Sequence, residues 1–583
     1  MLLRKTISTL LVLLLSLSSV LSQSERQKEN AKQTEEAKSE SESKALKLLE
    51  RIVEQSQSLK LPENRIYFKV TAASILWSRD EERARVIYKE ITDEIATAII
   101  NIETADDQQE RVNHLAQLRS LVLQELSPKD PQMALDFLRS TRLPQLSNYH
   151  HNGMTQEEQL EAHLAYLIAI KDPKLSLRLA LGNLKKGFLN DLINVLHNLR
   201  SKDKESYNTL LKEILAKLQG VNFATNQNDS IMAFNLLSLL RSQESEVDTY
   251  KELLTALASS GTKVSNRNTN NNERYAAQNL LSNLRSYIPE IEKHAPSQAV
   301  ALKRKFAEMD ELLDPYTKQI NALNQIAQNG TVDDILAITK KAPKEYRNQF
   351  YSQAIWKAIG QGDFGRAAQI IESDDINPLQ KKQFFEQIDR QRIYKTIGEG
   401  KIDEARQSIA AVKNVNESVQ LHIQLANSLA GKGDKETALQ ILQDANNLIR
   451  EQAKNSTEIN TKLQLASAYR QYNTDISFEI IAPLVLQLNE LIAALSTLNG
   501  FESNYMKDGE FLLSNMYSNV GNTVNQCQQQ IAGLAQNDFE RAVTLAESFQ
   551  REEIRLKVLM LIAQTTLNRN GINITERRGK GFR

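Results

Sequence analysis

Gln420–Ile449 reads QLHIQLANSLAGKGDKETALQILQDANNLI, and its punctuation decides the fold. Leu421, Leu425, Ala426 and Leu429 recur at helical spacing, one apolar stripe along a first helix. Gly431, Lys432, Gly433 and Asp434 follow. Glycine tolerates the left-handed backbone that ends a helix, and an aspartate just beyond it caps the next one. Ala438, Leu439, Ile441, Leu442, Ala445, Leu448 and Ile449 then form a second stripe. Ala438 and Ala445 are seven residues apart on one face. Small side chains there allow two antiparallel helices to approach closely.

Further turns share this register. Gly362-Asp363-Phe364 precedes Ala367, Gly400-Lys401-Ile402-Asp403-Glu404 precedes Ala405, and Asn537-Asp538-Phe539 precedes Ala542. Nearer the N-terminus Asp80 precedes Ala84, Asp130-Pro131 precedes Ala134, and Asp172-Pro173 precedes Ser176. Proline after a capping aspartate suits the first helical position, whose amide has no partner to lose. The spacings of 33 to 50 residues within the clusters 84–176 and 367–438 indicate about ten hairpins of irregular length, at ~35–45 residues each. Alanine, leucine, glutamine, glutamate and lysine dominate, all helix formers. The fold class is all-α, an α-solenoid of antiparallel helical hairpins. Alternating strands with tight Asn-Gly turns are not expected.

The copy at 420–449 resembles a tetratricopeptide repeat. Leu425, Ala426, Gly433, Asp434, Ala438 and Ala445 fall on that family's apolar, small and turn positions. His422 stands where the family prefers tryptophan and Leu429 where it prefers an aromatic. The neighbours at 351–374 and 391–411 match at the turn and first alanine, and beyond roughly 345–450 the chain is similar to helical solenoids in general, including exported bacterial ones. The resemblance implies a partner-binding inner face on the first helices. Its candidates are Gln353, Lys357 and Gln361 in one group and Gln424, Asn427 and Ser428 in the other. Amides and a lysine suit peptide backbone and carboxylates.

Arg4 and Lys5 lead into an apolar run from Leu10 to Leu21, with Val20 and Ser22 before a cut at Gln23. This is the layout of a secretory signal peptide over 1–22, too short for a spanning helix. No later segment is expected to reach transmembrane length, because charges interrupt the apolar stretches. Residues 23–43 carry almost no apolar side chains and are expected to form a disordered tether. Helical repeats then run over 44–258 and 274–569. The Asn/Ser-rich stretch 259–273 is either a linker between two segments or a long loop within one. The basic tail, 570–583, ends the chain. The expected address is exported, periplasmic or secreted.

Lysine plus arginine balances aspartate plus glutamate at 72 each, so nothing in the charge balance indicates nucleic acid. Cys527 is the single cysteine, which excludes an internal disulfide. The G-x-G-x-x-G pattern at Gly360, Gly362 and Gly365 follows helical sequence, whereas a dinucleotide site needs a strand there. His150, His151 and His163 lie near Glu157, Glu158 and Glu161, but no H-E-x-x-H orders them for zinc. No nucleophile elbow or P-loop occurs. Trp77 and Trp356 both close first helices, as packing residues under the turns. No metal, cofactor or catalytic residue is assigned. The expected function is an exported, non-catalytic scaffold for protein or peptide partners. An envelope spacer without a ligand, or a hydrolase with a site near His150–His163, are the alternatives.

Overall fold

The computed structural model describes residues 39–100, 108–144, 155–188, 191–241, 246–264, 271–311, 315–501, 503–513 and 518–568. The signal peptide, most of the tether, the basic tail, and His150 and His151 lie outside them. Among the described residues the chain is all-α apart from a hairpin of two-residue strands. It forms two compact units. The terminal unit joins the beginning of the chain, to Glu94, with everything from Ile397 onward, and the central unit spans Ile95–Thr396.

Both units are stacks of helical hairpins, and the capped turn builds each one. At Gly433 (φ +91°) the backbone turns left-handed. The amide of Asp434 then donates to the carbonyl of Leu429 at 3.0 Å, and its carboxylate accepts from the amide of Thr437 at 3.1 Å. Gly362 and Asp363 repeat the arrangement, with Asp363 capping the amide of Arg366. A helix, Lys344–Gly360, precedes this glycine turn, so the G-x-G-x-x-G pattern here is a hairpin turn. The third copy differs. Lys401, without a capping side chain, takes the N-cap position before Ile402–Ala410.

A second turn dispenses with glycine. The amides of Asp80, Asp130, Asp172 and Asp538 donate to the carbonyls of Leu76, Leu126, Ile168 and Leu534. Each carboxylate caps the amide three residues on, at 2.9–3.0 Å. The small residues that follow, Ala84, Ala134, Ser176, Ala367, Ala405, Ala438 and Ala542, are all fully buried. Ser477 occupies the same position in a hairpin that sequence left uncounted, Ser456–Tyr469 with Thr474–Leu498. Ser176 and Ser477 both donate to a first-helix carbonyl eleven residues back, Ala165 at 2.6 Å and Ala466 at 2.7 Å. A serine therefore replaces alanine there without leaving a buried hydroxyl unpaired.

In the central unit the stretch 259–273 begins as the end of helix Val247–Thr262, which packs against Asn271–Ser286. A β-carbon added to Gly261 would lie 2.4 Å from Leu284 Cδ1 and 3.0 Å from Leu302 Cδ2. Both leucines are fully buried. Gly261→Ala is expected to destabilise this unit by about 1–3 kcal/mol through overpacking. Denaturant unfolding of the variant measures it, and an unchanged midpoint would show that the leucines re-pack freely.

In the terminal unit, first helices stack in the order Val415–Gly431, Ser456–Tyr469, Asn519–Leu534, Glu552–Asn568 and then Pro62–Leu76. The stack thus continues from the last helix of the chain into one of its earliest. Second helices form a parallel row held by ion pairs. Arg541 reaches Asp475 at 2.5 Å, Lys44 reaches Glu540 at 2.9 Å, Arg51 reaches Glu547 at 3.1 Å, and Arg83 reaches Glu50 at 3.1 Å. The helix at 39–55 therefore occupies the second-helix place that follows Glu552–Asn568, although it is the first described in sequence. It already includes residues 39–43 of the expected tether.

The strand hairpin Met506–Lys507 and Glu510–Phe511 fastens this junction. Asp508 (φ +48°) and Gly509 (φ +83°) make its turn, the left-handed pair that suits a two-residue hairpin. The buried Glu510 accepts from the amides of Lys60 (2.5 Å) and Leu61 (3.1 Å) and from Asn64 Nδ2 (3.3 Å). Asn64, 1% exposed, also donates to the carbonyl of Phe511 (2.9 Å) and accepts from the amide of Leu513 (3.0 Å).

Contrary to the sequence expectation, one helix among the described residues is long and apolar enough to cross a membrane, Thr474–Leu498. Its Ile481, Leu484, Val485, Leu488 and Ile492 are buried, and it packs against Ser456–Tyr469 and Asn519–Leu534, as the core helix of a hairpin stack does.

Candidate binding groove

The expected inner-face residues divide between the units. Gln353, Lys357 and Gln361 lie in the central unit, and Gln424, Asn427 and Ser428 in the terminal one. Two of them serve the stack itself. Lys357 Nζ donates to the carbonyl of Gly330, and Ser428 Oγ to that of Ile397 at 3.4 Å. Each reaches back to the end of the preceding first helix, where carbonyls lack helical partners. Gln353 Oε1 is buried with no partner among the described residues. Gln361, Gln424 and Asn427 are exposed.

A concavity in the terminal unit opens on the opposite side of the same helix. At roughly 100° per residue, Val415, Ser418 and His422 share one side of Val415–Gly431, while Gln424, Asn427 and Ser428 share the other. Second helices Ile402–Ala410 and Lys435–Leu448 flank that first side. Between them lies a groove of about 510 Å³. Its apolar walls include Ala410, Val412, Val415 and Leu448, of which Val415 is 46% and Leu448 41% exposed. Arg406 and Asp444, paired at 2.6 Å, bridge the two second helices within the lining.

Two buried polar side chains also line it. Ser418 is 5% and His422 9% exposed. His422 Nδ1 lies 2.7 Å from the carbonyl of Ser418. A carbonyl only accepts, so Nδ1 carries the hydrogen, and in the neutral form of the ring the acceptor lone pair is on Nε2. Neither Nε2 nor Ser418 Oγ has a hydrogen-bond partner among the described residues. An adjoining pocket shares Val415 and Leu448 and adds Arg450, Glu458 and Lys462. Glu458 accepts from the amide of Lys454 (3.0 Å) and from Asn455 Nδ2 (3.2 Å), while Lys462 Nζ donates to the carbonyl of Glu451. Arg450 has no such partner among the described residues.

Sequence singled out none of these as functional. The only signal of His422 was its place at a position where the tetratricopeptide family prefers tryptophan. The other candidates are occupied elsewhere. Glu157 binds Arg119, Glu158 caps Thr155 and pairs with Lys186 at 3.3 Å, and His163 Nδ1 lies 3.7 Å from Asp191. Among the described residues no cluster of histidine, cysteine, aspartate or glutamate is arranged to hold a metal. Trp77 packs edge-on to Tyr88 under its turn, with Arg85 over its ring. Trp356 is 48% exposed, its edge toward Phe384, so it is only partly the packing residue expected.

Cys527 is fully buried, and burial pushes its thiol up to about 12. The thiolate is the reactive form. Native protein at pH 8 is therefore expected to resist thiol reagents that label the denatured chain fully. Rapid native labelling would show that the helix Asn519–Leu534 opens readily.

No protein-family model matches the chain, and no curated protein sequence matches it. Among solved structures it is similar to a chain in the crystal structure of the APC/C hetero-tetramer Cut9-Hcn1. That alignment covers 86% of this chain and 92% of the other, with 13% identity and a TM-score of 0.19. So low a score bears on neither the groove nor a shared partner. The repeat character rests on the capped turns and buried small residues described above.

Proposed function

We infer that the protein is an exported, non-catalytic helical-repeat scaffold that holds a protein partner. The observation that carries this is the groove at Val415–His422. It combines exposed apolar walls with two polar atoms, His422 Nε2 and Ser418 Oγ, that have no hydrogen-bond partner among the described residues. A concave apolar site with a few convergent polar groups is the usual form of a binding site. The first-helix amides Gln361, Gln424 and Asn427 are a second candidate surface. Export rests on the signal-like segment 1–22.

Crosslinking of the tagged chain from Gln23 to Arg583 in its native envelope fraction tests the scaffold. A discrete partner recovered in near-stoichiometric amount, and lost when Val415 and Leu448 are both made aspartate, is the expected result. Loss on replacing Gln353, Lys357, Gln361, Gln424, Asn427 and Ser428 instead would move the site to the first-helix face. No partner at all would favour the spacer. Finding the tagged chain in the cytosol would overturn export.

A further inference from the structure

We propose that the groove takes a short acidic-apolar peptide segment of a partner protein, an apolar side chain beside an aspartate or glutamate. This rests on the scaffold function and specifies its ligand. The apolar side chain enters between Val412, Val415 and Leu448. The neighbouring carboxylate reaches Arg450, and a backbone N–H of the segment donates to His422 Nε2.

The charge sign follows from the bookkeeping of partners around the two pockets. Arg406 and Asp444 neutralise one another. Glu458 is held by a backbone amide and Asn455, and Lys462 by a backbone carbonyl. That leaves Arg450 as the lining charge without a partner among the described residues. A guanidinium binds a carboxylate through two parallel N–H bonds, which gives geometry as well as attraction. The two partnerless polar atoms, His422 Nε2 and Ser418 Oγ, fit a backbone better than a second charge. Nε2 accepts, and the Ser418 hydroxyl can donate or accept, so together they match the alternating N–H and C=O of an extended segment. The walls supply apolar contact on either side, as in peptide grooves where side chains set specificity and the main chain sets register.

Fluorescence anisotropy of the chain from Gln23 to Arg583 tests this with three labelled peptides: alternating Asp/Leu, alternating Lys/Leu and alternating Ser/Leu. The Asp/Leu peptide is expected to bind at least about tenfold more tightly than the others, a difference of one charge-assisted contact. Arg450→Glu should remove that preference and shift it toward Lys/Leu. Arg450 is exposed, so the variant should keep the wild-type melting temperature, which circular dichroism checks. Val415→Asp should abolish binding of all three. Equal binding of Asp/Leu and Ser/Leu, or an unchanged preference in Arg450→Glu, would overturn the proposal. If either occurs while the crosslinked partner is still recovered, the scaffold stands and only this ligand assignment fails.

Discussion

Asn64→Leu lowers the stability of the terminal unit by roughly 3–5 kcal/mol, the range for stranding several buried polar groups at once. Asn64 is nearly isosteric with leucine, so little volume changes. What changes is the hydrogen bonding. The amide joins Glu510, the carbonyl of Phe511 and the amide of Leu513 in one buried cluster. Its loss leaves two backbone groups unpaired and removes one donor from a buried carboxylate. Glu510 keeps the amides of Lys60 and Leu61, so the variant should fold with a loosened junction. Hydrogen exchange checks this. Amides in 59–76 and 506–513 should lose protection together, while the central unit stays unchanged. Equal loss across the molecule would mean that the hairpin is not a separate fastening.

Arg119→Met has an effect of similar size in the central unit, about 3–5 kcal/mol, because removing one partner of a buried ion pair leaves an uncompensated charge. Arg119 is fully buried. Its guanidinium reaches both oxygens of Glu157, with Nη2 to Oε2 at 2.9 Å. It also donates to Thr141 Oγ1 at 3.1 Å and to the carbonyl of Leu138 at 3.0 Å. Glu157 accepts in addition from the amide of Leu143 at 3.0 Å. Arg119→Met with Glu157→Gln should be less destabilised than the two single variants added together, since no charge is then left alone. Raising the salt concentration should change little, because buried pairs are weakly screened. Urea titrations of the four proteins give the coupling directly. Additive losses would mean that the arginine acts through packing alone.

Local chemistry made most of the fold legible. Asp130, Asp172, Asp363 and Asp434 announce helix starts, and each small residue four positions on is buried as its spacing implies. The hairpin at Ser456–Leu498 escaped because Asn473 and Ser477 stand in for aspartate and alanine, and no glycine marks the turn. The strand hairpin escaped although Asp508-Gly509 is a turn signal, because each strand is only two residues long and shows no alternation. The terminal junction left no trace in any window. Asn64 and Phe511 are 447 positions apart, and periodicity reports only neighbours. The groove was hidden for another reason. Ser418 and His422 sit on the buried stripe, where sequence assigns packing. Whether a stripe is fully covered depends on the neighbouring helices, here Ile402–Ala410 and Lys435–Leu448. Arg119 was invisible because a buried arginine reads like any surface one until its partners are known.

The place of helix 39–55 in the second-helix row has a consequence for the order of synthesis. That helix leaves the ribosome early, yet its neighbour Phe539–Glu547 is nearly the last element made. Leu48, Leu49, Ile52 and Val53, all buried in the finished protein, must wait for some five hundred residues of chain. Hairpins of the central unit close over short separations and can form as they emerge. Contacts between distant positions slow folding, so completion of the terminal unit is the late step. A chain stopped before Phe539 lacks the helix to which Lys44 and Arg51 pair, so the apolar stripe of helix 39–55 is a built-in mark of unfinished molecules.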